Sequence, residues 1–176
     1  MLNRTISQTG LISPLVLILA LTGSLLLAPP ATAQDRSDAN RRHHFNTDRG
    51  LALKGYDPVS YFYGGARRGN SRYQASHRGI TYYFVDERNK QRFLDRPEAF
   101  EPAYGGWCAW AMRDGDKTDI DPNNYLLIND RLYVFYKGIW GDTKAQWEKK
   151  ARREGHDDMI RRANNQWNWI LRPGNR

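Results

Sequence analysis

The sequence predicts an α+β fold: a small antiparallel sheet built from two hairpins, packed with a short helix and with C-terminal helices. Three observations predict it. Two pairs of short runs rich in aromatic or β-branched residues each straddle a two-residue turn, Arg78-Gly79 in the first pair and Asn129-Asp130 in the second. Met159, Ala163, Trp167 and Ile170 recur every three or four residues, the stripe of a helix with one buried face. There is one cysteine in the chain, Cys108, so packing of aromatic side chains must hold the domain together rather than disulfides.

The first 33 residues read as an export signal. Arg4 is the positive n-region, Leu15 to Ala28 is an apolar run shorter than a membrane span needs, and Ala31-Thr32-Ala33 offers a small-x-small cleavage pattern. The expected cut falls before Gln34 and the expected destination is the periplasm or the exterior; the alternative is an uncleaved anchor. Residues 34 to 50 are polar, contain His43-His44, lack apolar periodicity and are expected to form a flexible lead-in. The domain with its helical extension is expected over residues 51 to 171.

Leu51 and Leu53 alternate with small or polar residues, as in a short strand, and Asp57-Pro58 reads as a turn. Arg72 to His77 and Ile80 to Val85 form the first hairpin. Asp86 is placed to cap a short helix over Glu87 to Leu94, with Phe93 and Leu94 expected to face inward. Arg113 to Asn124 reads as a polar loop, and Tyr125 to Ile128 pairs with Arg131 to Tyr136, a strand with bulk on both faces. Thr143 and Gln146 fit a capping box that starts a helix, Gly155 interrupts it, and Asp157 and Asp158 suit the first turn of a second helix.

The chemistry is expected around Tyr104-Gly105-Gly106-Trp107-Cys108-Ala109-Trp110-Ala111-Met112, where two glycines allow the backbone to approach something closely. Cys108 and Met112 share a face whether the segment is one helical turn or a short strand. A thiol and a thioether, completed by His77 or by a tyrosine-lined pocket, would suit copper(I), whereas structural zinc wants four N or S ligands that the chain does not readily supply. The other readings of Cys108 are a buried inert thiol or an intermolecular disulfide partner.

Several segments together resemble a YHS-domain protein of the exported bacterial type. They are Gly55-Tyr56-Asp57-Pro58-Val59-Ser60-Tyr61-Phe62, Gly79-Ile80-Thr81-Tyr82-Tyr83-Phe84, Phe93, Pro97, Tyr104-Gly105-Gly106-Trp107-Cys108-Ala109, Asp121-Pro122 and Leu132-Tyr133. The likeness runs from about Leu51 to Trp169. YHS domains elsewhere accompany copper-transporting ATPases and are suspected of binding metal through cysteines. The resemblance implies that those ligand positions fall on Ser60, Val85 and Asn89 here, none of them a cysteine.

Function classes then separate by chemistry. The chain carries 27 Lys and Arg against 19 Asp and Glu, a net +8, which favours contact with an anionic surface or polysaccharide. Ten tyrosines and six tryptophans exceed what a small core needs, so a second reading is a binding module for an anionic or aromatic ligand, with a pocket drawn from Tyr56, Asp57, Tyr61 and Trp107 and with Cys108 structural. A thiol enzyme is disfavoured because neither His77 nor His156 stands at a known Cys/His spacing, so a non-enzymatic role is expected. No basic stripe with a known nucleic-acid motif is present.

Overall fold

Thr32 caps the first helix of the computed structural model, whose described residues run from Thr32 to Gly174. The Thr32 hydroxyl accepts from the Asp35 amide at 3.1 Å while the Asp35 carboxylate accepts from the Thr32 amide at 2.9 Å, a closed capping box. The helix it starts, α1 (Ala33–His44), occupies the segment expected to be a lead-in. It is tied to distant parts of the chain: Arg78 donates to Asp38 at 3.0 Å, Arg41 to Glu101 at 2.7 Å, and Asn40 to the Leu171 carbonyl at 2.8 Å. Sequence periodicity is blind to α1 because ion pairs and amides dock it, not an apolar stripe; His44 is its one buried residue. The export signal expected over residues 1 to 33 lies outside the described residues, apart from Thr32 and Ala33.

Four strands follow in one sheet: β1 (Thr47–Asp48), β2 (Leu51–Ala52), β3 (Asn70–His77) and β4 (Ile80–Phe84), in the order β1-β2-β4-β3. β3 and β4 pair antiparallel through Arg78 and Gly79, whose φ angles of 46° and 81° supply the left-handed turn that matches strand twist. β2 joins β4 in parallel, so the sheet is not purely antiparallel. Asp86 caps α2 (Glu87–Asp95), its carboxylate accepting from the Asn89 amide at 2.8 Å. Phe93 is fully buried as expected, whereas Leu94 is 47% exposed, because two consecutive residues of a helix cannot both face one sheet. The short helix α3 (Pro97–Phe100) then delivers the chain to the glycine pair.

That pair has φ angles of 59° and 84°. A Cβ on Gly105 would stand 2.8 Å from the Phe45 ring, so the close approach expected here is to the chain's own segment after α1. Cys108 to Met112 resolves as a helical turn, α4 (Ala109–Met112). β5 (Asp121–Ile128) starts four residues before the expected strand and pairs with β6 (Arg131–Phe135), four of whose five residues are buried. The two long hairpins therefore lie in separate sheets. A small hairpin of β7 (Lys137–Gly138) and β8 (Gly141–Asp142) leads into α5 (Thr143–Glu154) and α6 (His156–Ile170). Asp142, not Thr143, caps α5, accepting from the amides of Lys144 and Ala145.

Two apolar clusters fill the interior. One gathers Phe45, Val59, Tyr82, Phe84, Phe93, Cys108 and Val134 around the first sheet; the other gathers Tyr104, Met112, Phe135, Trp147, Met159 and Ala163 under α5 and α6. Trp110 and Trp167 pack against both.

Candidate functional site

Cys108 is fully buried at the start of α4. Its sulfur accepts from the Tyr136 amide at 3.4 Å and lies 3.3 Å from the Thr143 hydroxyl. That hydroxyl donates to the Tyr136 carbonyl at 2.9 Å, which leaves its lone pairs to receive the Cys108 S–H. The thiol thus closes a local network joining α4, the end of β6 and the first residue of α5.

Of the three residues expected to share a metal, Cys108 and Met112 lie one helical turn apart, the Met112 amide donating to the Cys108 carbonyl at 3.0 Å, while His77 stands on a different element. Cys108 belongs to the first apolar cluster and Met112 to the second. His77 sits at the end of β3 against the edge of Phe93, its Nε2 3.2 Å from Glu98 Oε1. An amide and a hydroxyl at the sulfur are not soft-metal donors, and among the described residues no group of three His, Cys, Asp or Glu side chains could hold a metal ion.

Of the expected ligand pocket, Tyr56, Asp57 and Tyr61 lie near one another, while Trp107 lines a different cleft. Tyr61 is buried, donating to the Pro122 carbonyl at 2.9 Å, and burial pushes its phenol well above the ordinary range. Tyr56 lies under the Arg68 guanidinium, 5.9 Å from it. Trp107 donates its indole N–H to the His44 carbonyl at 2.7 Å and borders a separate cleft of about 230 Å³ with Asn46, Lys54 and Asp119.

Asp57 is a fully buried hub. One carboxylate oxygen accepts from the Val59 and Ser60 amides at 2.8 and 3.1 Å, and the other accepts from the Val85 amide at 2.9 Å and the Asn89 side-chain amide at 2.7 Å. Four N–H donors thus converge on the two carboxylate oxygens and satisfy them within the chain. The three positions that the YHS resemblance would assign to metal ligands, Ser60, Val85 and Asn89, all meet at this carboxylate. Donors aimed inward on an acceptor they saturate make a poor cation site.

A different cleft has the composition of a ligand site. Trp110 lines it with Gln146, Lys149, Lys150, Arg153 and Glu154, around about 280 Å³. The Arg113 guanidinium lies 3.6 Å from the Trp110 ring centroid and fixes the indole by a cation–π contact. Lys150 is paired with Glu154, while among the described residues no carboxylate pairs with Lys149 or Arg153. Both are exposed, and their i, i+4 spacing puts them on one face of α5.

No family model, curated protein or solved structure matches the chain.

The cleft leaves little mark in the sequence, because lysine and arginine are common surface residues whereas the chain has a single cysteine. The signal available was modest: a Lys149/Arg153 pair at helical spacing, with Trp110 in the same stretch as Cys108.

Proposed function

We propose that the protein is an exported, non-enzymatic binding module of YHS type for an anionic ligand, that the ligand occupies the cleft beside Trp110, and that Cys108 is structural. The observation that carries the reading is the convergence of Lys149 and Arg153, neither paired with a carboxylate among the described residues, on an indole already held in place by Arg113. Two cations beside a rigid aromatic wall favour a phosphate, sulfate or carboxylate attached to a flat or apolar body. Support for the YHS likeness comes from the Asp57 hub, where Ser60 meets Val85 and Asn89 although both lie more than twenty positions further along the chain. The copper reading has no comparable support, since the sulfur is sealed among a backbone amide and a hydroxyl.

Isothermal titration with inorganic pyrophosphate and with a sulfated disaccharide at low salt tests the reading. The double variant Lys149→Glu, Arg153→Glu is expected to weaken binding about tenfold or more, roughly 1.4 kcal/mol. Cys108→Ala is expected to leave affinity unchanged. Equal affinity of the wild type and the charge-reversed variant would remove the cleft from the account.

A further inference from the structure

The hairpin of β7 and β8 carries Ile139 and Trp140 at its tip, 89% and 81% exposed. Two large apolar residues side by side in water are costly, yet the hairpin is built to hold them out. The Trp140 amide donates to the Tyr136 hydroxyl at 3.3 Å, and the Tyr136 ring lies so close under Gly138 that a side chain there would collide with it. Gly141 takes φ 109°, which lets the chain turn back at once into β8. The base is fixed in turn, since Asn124 donates to both the Tyr136 carbonyl and Asp142 at 3.0 Å.

Charge identifies the partner. Residues 137 to 154 hold six basic side chains against three acidic, and Lys137 flanks the tip itself. Gln146, which lines the Trp110 cleft, also reaches Gly141, so tip and cleft lie on one continuous surface. A convex, two-residue apolar tip beside a basic face matches an interface with apolar depth beneath a layer of negative charge. Tryptophan is also the side chain that settles at headgroup level. We propose that the Ile139-Trp140 tip inserts into the headgroup region of an anionic lipid bilayer while the basic face of α5 lies against the phosphates. The anionic preference rests on the cleft reading above; the insertion does not.

The test uses the full chain carrying Ile139→Cys labelled with an environment-sensitive nitrobenzoxadiazole group, and Arg88→Cys on α2 labelled identically; wild type, with Cys108 sealed, is expected to take up no label. On vesicles of phosphatidylcholine with phosphatidylglycerol, the label at 139 is expected to shift to the blue and to be quenched by doxyl lipid, while the label at 88 stays aqueous. Adding Trp140→Ser to the 139-labelled chain is expected to weaken partitioning about tenfold. An aqueous label at 139 on vesicle-bound protein overturns the proposal, as does a blue shift without vesicles that grows with protein concentration, which would assign the tip to a second copy of the chain. If pyrophosphate ignores Lys149 and Arg153 but the label still shifts, the cleft reading falls and insertion stands. If pyrophosphate binds as expected and the label stays aqueous, insertion alone falls.

Discussion

Cys108 is held by what it touches more than by what it could react with. Replacing it with alanine leaves the half-buried Tyr136 amide without its acceptor and the Thr143 hydroxyl without its neighbour. Cys108→Ala is therefore expected to lower stability by about 1–2 kcal/mol, read as a fall in urea midpoint at unchanged slope. Asp142 poses the opposite case, a charge whose folded environment favours ionisation. Burial pushes its carboxyl up, but hydrogen bonds from Asn124 and the Ala145 amide, with Lys137 nearby, outweigh it and hold the group below its ordinary 3.8. A depressed carboxylate contributes stability that is present above its unfolded value and is lost as pH falls through its folded one. Carboxyl NMR is expected to place the Asp142 midpoint below 3.8, and Asp142→Asn is expected to flatten the loss of stability on acidification below about pH 4. A midpoint at or above the ordinary value would contradict the capping role.

Among the elements, α1 shows how far polar contacts can dock a helix. Arg41 meets Glu101 at 2.7 Å with both side chains largely buried, and Glu101 also accepts from the Tyr82 hydroxyl at 2.8 Å. Burial first, and the Glu101 charge second, raise the Tyr82 phenol well above its usual range, so that hydroxyl remains a donor. Arg41→Ala would leave Glu101 buried without a cation and is expected to destabilise by about 3 kcal/mol. Pairing it with Glu101→Gln is expected to recover part of the loss; a denaturation series of the single and double variants reads both, and an additive pair would show that the two side chains do not interact. The hairpins behave differently. Their turns are legible because Arg78-Gly79 and Asn129-Asp130 are local solutions to strand reversal, with φ between 46° and 81°.

For the whole molecule, the joint between the two apolar clusters decides cooperativity. Trp110 and Trp167 pack against both, and Phe45 reaches Trp167 at 5.8 Å, so neither cluster can open without exposing the other. Thermal unfolding followed by far-ultraviolet circular dichroism and by tryptophan fluorescence is expected to give coincident single transitions; separated midpoints would mean that the clusters melt independently. The sequence by itself determined the α+β class, both long hairpins, the Asp86 cap, and the buried stripe of Met159, Ala163 and Ile170 on α6, because turns, caps and stripes are contests among residues a few positions apart. Tertiary structure alone decided that α1 docks, that Asp57 gathers Val85 and Asn89, that Cys108 closes against Thr143 and the Tyr136 amide, and that Lys149 and Arg153 flank Trp110. Those pairings join residues tens of positions apart, where nothing in local spacing encodes distance in space.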